Sequence, residues 1–222
     1  MSAPSQLQEL ASAVFEGDRE RARKAAEAAI ASGLPPMSVL NDGLVVAMRT
    51  IGEKWKAQEI FLPEVLMAVE AWKASMAVIG PKLSAENRAE ARRGVVVIGT
   101  VKGDIHEIGK NIVAALLSTA GFEVHDLGTD LPASVFVTEA ERLGADIIAS
   151  SALMTTTMPH QRDVVEYLET KGKRNDFYYL IGGAPVSPEW AQEIGADAYG
   201  KTAEDAVRVA LDFAKTRRTT KP

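Results

Sequence analysis

From Gly94 onward, short apolar runs alternate with longer segments of helical periodicity. The most apolar of these runs lack polar alternation, which predicts strands that are covered on both faces. Strands joined by helices in this way form a parallel sheet with helices on either side. We therefore predict a doubly wound, five-stranded parallel sheet of the Rossmann or flavodoxin type. The predicted strands are Val95–Ile98, Glu123–Leu127, Asp146–Ser150, Tyr178–Ile181 and Ala198–Tyr199, and the predicted helices are Lys110–Ala120, Ala133–Leu143, Pro159–Thr170, Pro188–Glu193 and Thr202–Lys215.

The N-terminal part of the chain shows helical spacing only. Asp18 is a suitable N-cap for one of these helices, and Pro63 suits the first turn of another. Short connections between the helices predict a small antiparallel bundle of four. The fold class is thus α plus α/β, with a four-helix bundle followed by the parallel sheet. The predicted helices are Leu7–Phe15, a second from Asp18 through Ala31, Met37–Trp55 and Leu62–Ile79.

A polar segment separates the two parts. Residues 82–93 contain charges of both signs and almost no apolar anchors, which is typical of a solvated linker. We therefore expect a helical domain at residues 1–81, a linker at residues 82–93 that acts as a hinge, and an α/β domain at residues 94–222.

Composition excludes several classes of function. The hydrophobic share of 46% and charged share of 25% are those of a soluble globular protein. A net charge of −5 provides no basic field for nucleic acid. The absence of cysteine excludes disulfides, zinc-thiolate sites and iron–sulfur clusters. Neither a signal peptide nor an apolar run long enough for a membrane span is found, so we expect a cytoplasmic protein with no membrane partner.

A glycine-flanked loop follows the first predicted strand. Gly103 to Asn111 reads Gly-Asp-Ile-His-Glu-Ile-Gly-Lys-Asn. A neutral imidazole can bind a metal through one nitrogen while the other donates to a carboxylate, and His106 and Asp104 supply such a pair. An ordinary surface histidine beside an acid is the plainest alternative. The spacing does not match a P-loop or the Gly-x-Gly-x-x-Gly dinucleotide fingerprint.

Any metal site here must work with few protein ligands. The three histidines are His106, His125 and His160, and no compact spacing joins them in one multi-ligand site. A single histidine serves best when a macrocycle fills the equatorial positions of the metal, as in haem or a corrinoid. A doubly wound sheet suits the corrinoid, because the nucleotide tail needs a cleft at the strand ends.

Two further segments follow strands three and four. Ser151 to Pro159 reads Ser-Ala-Leu-Met-Thr-Thr-Thr-Met-Pro, and its hydroxyls have a simple alternative role in capping the next helix. Gly182-Gly183-Ala184-Pro185 is either a tight turn or a surface that lets a flat ring approach the backbone.

Together these motifs resemble a known family. Asp-x-His-x-x-Gly, then Ser-x-Leu, then Gly-Gly is similar to the cobalamin-binding signature of corrinoid methyltransferases, including the cobalamin module of methionine synthase. The string from Trp55 to Met67, Trp-Lys-Ala-Gln-Glu-Ile-Phe-Leu-Pro-Glu-Val-Leu-Met, resembles the helical cap of the same proteins. The resemblance runs from about residue 5 to 215 in the right order, and is strongest to corrinoid carriers that serve methylamines, methanol or aryl methyl ethers.

The resemblance implies cobalamin bound with its own base displaced and a histidine on cobalt. His106 would be the metal ligand, Asp104 would bind its imidazole, and Thr157 would complete this catalytic trio. Ordinary bundle packing is the alternative for the cap residues, and we expect Met67 and Trp72 to belong to that core. The other implied cofactor contacts are Gly103, Ile105, Glu107 and Gly109 in the loop, Ser151, Leu153, Thr155, Gly182, Gly183 and Ala184 around the tail, and Trp55, Leu62 and Asp42 over the upper face.

The resemblance also implies a role in one-carbon metabolism. Cobalt(I) of cob(I)alamin would take a methyl group from a donor held by a substrate-specific methyltransferase, giving methylcobalamin. A second methyltransferase would pass the methyl to tetrahydrofolate or coenzyme M, and a reductive activase would rescue oxidised cobalt. No separate substrate pocket is evident from the sequence, so we expect a carrier subunit of a multi-component system, not a complete enzyme. The methyl donor stays open.

Two other functions are compatible with a helical cap combined with a cobalamin-binding domain, namely sensing and storage. B12-dependent sensors carry an N-terminal DNA-binding domain and a Glu-His pair in the cap, whereas this chain begins with the bundle and reads Pro63-Glu64-Val65 there. A B12-storage module remains an alternative that only methyl transfer with partner enzymes would distinguish.

Overall fold

The computed structural model describes residues 3–83 and 92–220, with side chains described for residues 5–83 and 92–216. Two compact units are present, one of Met1–Arg92 with Ser118–Gly121 and the other of Arg93–Leu117 with Phe122–Pro222. The predicted linker at residues 82–93 lies mostly outside the described residues. No helix within the described ranges is long and apolar enough to cross a membrane.

The first unit is helical, as predicted. Asp18 caps the second helix, since its Oδ1 accepts the Arg21 amide at 3.0 Å. Alanines on one face of that helix and branched apolar residues on the others form the core. The helices are α1 (Ala3–Phe15), α2 (Arg19–Ala31), α3 (Pro36–Ser38, Val39–Val45 and Val46–Lys56 in succession) and α4 (Leu62–Ile79), followed by a 3₁₀ turn at Gly80–Lys82.

Helix α3 is less regular than its sequence predicts. Its middle segment, Val39–Val45, is a π-helix, a wider turn that often occurs at functional positions. Gly43 lies in this segment, and a Cβ there would come within 2.9 Å of Leu10 Cδ2. The missing side chain therefore allows α1 to pack closely against the π-helical turn. Asp42 in the same segment is exposed.

The second unit is a parallel sheet with the strand order β2-β1-β3-β4-β5, which confirms the predicted fold class. Every residue of β1 is buried, as its apolar run predicts. The strands are β1 (Val95–Thr100), β2 (Glu123–Asp126), β3 (Ile147–Ser151), β4 (Tyr178–Gly182) and β5 (Ala198–Gly200); the helices are α5 (Ile108–Thr119), α6 (Ala133–Leu143), α7 (His160–Thr170), α8 (Pro188–Ile194) and α9 (Ala203–Thr220).

This strand order creates a topological switch point. From β1 the chain crosses to β2 on one side of the sheet, and later units extend from β3 on the other side. The loops after β1 and β3 therefore diverge and leave a crevice at the carboxyl ends of these strands, where open α/β sheets bind ligands. The loop that contains His106 and the segment that contains Thr157 follow these two strands.

Candidate functional site

A tight turn opens the loop after β1. The Asp104 amide donates to the Val101 carbonyl at 3.1 Å, and Gly103 lies in the left-handed region with φ +78°. A turn with a left-handed third residue strongly favours glycine at that position. Further along, the buried Thr100 hydroxyl donates to the His106 carbonyl at 2.9 Å. The backbone on both sides of Asp104 is thus held by the end of β1.

Asp104 is the buried centre of the site. Its Oδ1 accepts from the His106 amide at 3.0 Å and lies 2.8 Å from His106 Nδ1. Its Oδ2 accepts from the Leu153 amide at 2.7 Å and from the Thr157 hydroxyl at 2.8 Å. Burial by itself raises the pKa of Asp104, but these hydrogen bonds outweigh burial and hold the pKa well below its usual range. The carboxylate is therefore ionised.

An ionised carboxylate determines the tautomer of the histidine. Asp104 can only accept, so a neutral His106 carries its proton on Nδ1 and has a lone pair on Nε2. The His106 side chain is 49% exposed, whereas the Asp104 side chain that orients it is 0% exposed. This is the arrangement in which a carboxylate fixes a metal-ligating imidazole. Within the described ranges, no group of three or more His, Cys, Asp or Glu side chains could hold a metal ion.

Three predicted residues thus meet at the switch point although Asp104 and Thr157 are 53 positions apart. The threonine is buried and donates to the carboxylate. The alternative role of its segment in capping is not observed for α7, because Pro159 precedes that helix and no side chain caps it. Ser151 ends β3, and Thr155 in the following turn is exposed.

Apolar side chains lie exposed around the histidine. Ile105 and Ile108 are each 75% exposed, and Leu153 and Met154 are 43% and 37% exposed. Ile105 is adjacent to His106, and the Leu153 amide contacts the same carboxylate as the imidazole. Exposed apolar residues grouped beside polar ones mark a binding surface. Of the other predicted loop residues, Glu107 is exposed, and nothing lies within 4 Å of a Cβ built on Gly109.

The glycine pair after β4 has a structural role of its own. Gly183 has φ +131°, and a Cβ there would lie 1.8 Å from the Ala152 carbonyl oxygen. A Cβ on Gly182 would lie 3.2 Å from the Gly200 carbonyl oxygen. Close approach between backbone segments therefore requires Gly183 whether or not a ligand is bound. Contact of Gly182, Gly183 and the neighbouring Ala184 with a ligand stays a prediction.

The cap residues belong to the helical unit. Trp55 lies in the last turn of α3, and Leu62 is the first residue of α4; both are partly buried. Asp42 is exposed in the π-helical segment. Met67 is 52% exposed, so its assignment to the bundle core was wrong. The reason is that Met67 lies outside the buried face of α4, to which Val65, Ala68 and Val69 belong.

Sequence reasoning missed two buried side chains that shape the crevice. The amide of Gln161 donates to the Ser150 and Gly182 carbonyls at 3.2 and 3.1 Å, which ties the ends of β3 and β4 together. Lys110 is buried beside the loop and donates to Asp126 Oδ1 at 2.6 Å. Gln161 occupies a core-facing position of α7, so a polar residue in an apolar stripe was the available signal.

A carboxylate-oriented histidine lies at the switch point of a doubly wound sheet, in a chain that also has a helical unit before the sheet. Such a histidine can hold a metal through one ring nitrogen, at the edge of the sheet where ligands bind. Residues 94–209 match the model of the B12 binding domain, and residues 6–79 match a second model with the same description. The chain belongs to the B12-binding family, and the predicted resemblance to corrinoid proteins is confirmed.

Curated relatives match nearly the full chain. A corrinoid protein of Desulfitobacterium hafniense is 44% identical over 93% of this chain and 96% of its own length. Trimethylamine corrinoid protein 1 of Methanosarcina acetivorans is 45% identical over 88% and 90%. Dimethylamine corrinoid protein 1 of the same organism is 44% identical over 96% and 99%.

The chain also resembles solved structures of cobalamin and corrinoid proteins. A chain of the methanol:cobalamin methyltransferase complex from Methanosarcina barkeri has a TM-score of 0.85 and 29% identity, covering 98% of this chain and 85% of that one. The monomethylamine corrinoid protein of M. barkeri has a TM-score of 0.51 and 36% identity, covering 95% and 99%.

Proposed function

We propose that this protein is a corrinoid methyl carrier, which receives a methyl group from a one-carbon donor and hands it to a second protein. The main support for this proposal is the Asp104–His106 pair. Its ionised carboxylate accepts the Nδ1 proton and leaves Nε2 as the ligand atom. The match to curated corrinoid proteins of methylamine systems over nearly the full chain supports this role.

The donor set fits a cobalt corrinoid. A metal in a macrocycle would need one further ligand, which the imidazole of His106 would supply, and the exposed Ile105 and Leu153 beside it would suit a flat, largely apolar ring. We infer that His106 binds cobalt, and that Ser151, Thr155, Gly182, Gly183 and Ala184 accommodate the nucleotide tail. When bound, the cobalt corrinoid supplies a centre that accepts a methyl group and releases it again.

The residues of the chain bind and tune this group. Asp104 keeps the imidazole in one tautomer and one orientation, and it stays ionised because Thr157 and two backbone amides donate to it. A carboxylate hydrogen-bonded to a ligating imidazole raises the basicity of that ligand. Asp104 and Thr157 therefore act on the metal through His106, and any proton gained or lost by the trio alters how strongly His106 donates.

The helical unit is proposed to cover the upper face of the corrinoid. Residues 1–81 would form this cap, residues 82–93 the connector, and residues 94–222 the cobalamin-binding domain. Trp55, Leu62 and Asp42 are the candidate contacts, and each lies in or at the end of a helix of the cap. Trp55 and Leu62 flank the junction of α3 and α4, and both side chains are partly buried.

The proposed partners follow from the role of a carrier. A substrate-specific methyltransferase would load the protein, by analogy with the methanol:cobalamin methyltransferase complex of M. barkeri, one chain of which this protein resembles. A second methyltransferase would unload it to tetrahydrofolate or coenzyme M, and a reductive activase would return oxidised cobalt to its working state.

Transfer of a labelled methyl group tests the proposal. The protein is reconstituted with cobalamin, reduced, and mixed with isotope-labelled methanol, methylamines or aryl methyl ethers and the corresponding methyltransferase. A carrier takes up label from at least one donor and releases it to tetrahydrofolate or coenzyme M with the second enzyme. Binding of cobalamin without uptake from any of these donors would indicate storage and contradict the proposal.

A matched pair of histidine variants tests the proposed role of His106 as the metal ligand. His106→Ala should lose the axial nitrogen ligand and methyl uptake. His160→Ala should keep both, although His160 Nδ1 also pairs with a carboxylate, that of Asp163, at 2.7 Å. Equal behaviour of the two variants would contradict the assignment of His106.

A further inference from the structure

Asp130 has an unfavourable backbone conformation, and it lies close to the loop after β1 that contains His106, called here the histidine loop. Its φ is +56°, and among the described residues only Gln58 is another non-glycine residue with positive φ. Left-handed conformations are disfavoured for residues with a Cβ, although aspartate tolerates them better than most. Such residues persist where the surrounding contacts hold them in place, and they occur often at functional sites.

Asp130 contacts each of the three residues that precede Ile105 in the chain. Its Oδ1 accepts from the Gly103 amide at 2.8 Å and lies 2.8 Å from Lys102 Nζ. Its own amide donates to the Asp104 carbonyl at 2.9 Å. The Lys102 ammonium, followed by the Gly103 amide, lowers the pKa of Asp130, so the carboxylate is ionised.

The neighbours of Asp130 hold the end of β1 in the same way. The Gly128 carbonyl accepts from the Thr100 amide at 3.0 Å, and the Leu131 amide donates to the Thr100 carbonyl at 3.1 Å. Asp126 binds Lys110 on the other side of the histidine loop. The segment from Asp126 to Leu131 therefore contacts the end of β1 before His106 and the first turn of α5 after it.

We propose that Asp130 is a positioning residue for the axial ligand. By holding the Gly103 amide and the Asp104 carbonyl at once, it fixes the turn from which the Asp104 carboxylate reaches His106. Without it the turn can relax, and the imidazole is oriented less strictly toward the metal. This inference rests on the proposed function, because it assumes that His106 binds cobalt.

Three substitutions separate the contributions of Asp130. Asp130→Gly keeps the amide and suits a positive φ, but removes the acceptor for Gly103. Asp130→Asn keeps an acceptor and removes the charge. Lys102→Gln removes only the ion pair, whose partners are both about half exposed and contribute little. We expect Asp130→Gly to weaken cob(II)alamin binding about tenfold, the lower end of what loss of a supporting contact costs a metal ligand, while Asp130→Asn and Lys102→Gln retain most of it.

A double-mutant cycle distinguishes positioning from a merely structural role. Dissociation constants for cob(II)alamin are measured by fluorescence quenching, with the axial nitrogen signal recorded by EPR. If Asp130 acts through His106, Asp130→Gly has no effect in the His106→Ala background. In the protein without cofactor, Asp130→Gly should also speed hydrogen exchange at the Gly103 amide.

The outcomes separate this inference from the proposed function. Wild type that binds no cobalamin, or binds it without a protein nitrogen on cobalt, contradicts the proposed function itself. Wild type that binds through His106 with an unchanged affinity in Asp130→Gly overturns only the role of Asp130. An equal loss in Lys102→Gln, or an undiminished effect of Asp130→Gly in the His106→Ala background, overturns it as well.

Discussion

A single carboxylate organises the residues around His106. Asp104 accepts hydrogen bonds from two backbone amides, a hydroxyl and an imidazole, and the sum of these keeps a buried group charged. The hydrogen bonds lower the pKa of Asp104 more than burial raises it, so the carboxylate is ionised. The tautomer of His106 follows from this charge. Loss of the carboxylate charge should affect both stability and ligand orientation.

Asp104→Asn should destabilise the cofactor-free protein at neutral pH by about 2–3 kcal/mol, because an amide cannot accept from all four donors. The folded pKa of Asp104 lies below the unfolded value of about 3.9. Its contribution to stability is thus fully present above pH 4 or so and is lost as pH falls below it. Urea unfolding should show the difference between wild type and variant shrinking on acidification.

Asp163→Asn is the control for this pH dependence, because the Asp163 side chain is 51% exposed. It should follow the wild-type unfolding curve at every pH. A difference between wild type and Asp104→Asn that stays constant down to pH 3 would show that the carboxylate is not held ionised by the folded structure.

Some site residues were predictable from sequence and others were not. The spacing of Asp104 and His106 in a strand–helix loop predicts the paired carboxylate and imidazole that the structure shows, and the family resemblance adds Thr157. Asp130 carries no such signal, since its importance depends on a left-handed φ and on contacts 27 positions away. A lysine in the first turn of a helix is usually exposed, but Lys110 is buried and pairs with Asp126.

At the scale of helices and strands, the junction of β3 and β4 depends on glycine. Gly183→Ala should destabilise the protein by roughly 2–4 kcal/mol, through a clash with the Ala152 carbonyl and a disfavoured φ. Thermal or urea unfolding of the cofactor-free protein measures the effect. Gly172→Ala is the matched control, since its φ is +66° and nothing lies within 4 Å of the added Cβ; it should cost about 1–2 kcal/mol from backbone strain alone.

Equal losses in the two glycine variants would mean that the loops move apart without cost, contrary to the close packing at Ala152. A smaller loss in Gly183→Ala than in Gly172→Ala would have the same meaning. The comparison separates the clash from the strain, because both variants share the second effect.

Most elements were predicted from periodicity because their burial is one-sided or complete. The strands are short, and each predicted strand is observed to within two residues at either end. The π-helical turn in α3 was missed, because its residues continue the apolar spacing of an α-helix. Tertiary contact decides such local geometry more than propensity does.

For the molecule as a whole, the proposed contact of Trp55 with the cofactor can be tested by photolysis. If Trp55 covers the upper face, Trp55→Ala should speed photolysis of bound methylcobalamin severalfold, because the methyl group and cobalt become more accessible. Trp55→Phe keeps an aromatic side chain and should restore most of the protection. Absorbance under controlled illumination gives the rates, and equal rates for Trp55→Ala and wild type would contradict the placement of Trp55.

The central claim is that one imidazole of this chain, and not the base of the vitamin, occupies the lower position on cobalt. Protein with ¹⁵N-labelled histidine and unlabelled cobalamin, reduced to cob(II)alamin, gives an EPR spectrum whose splitting depends on the nitrogen bound to cobalt. Ligation by His106 predicts a two-line splitting from ¹⁵N, absent in His106→Ala. A three-line splitting from ¹⁴N would show that the benzimidazole stays bound, and would contradict it.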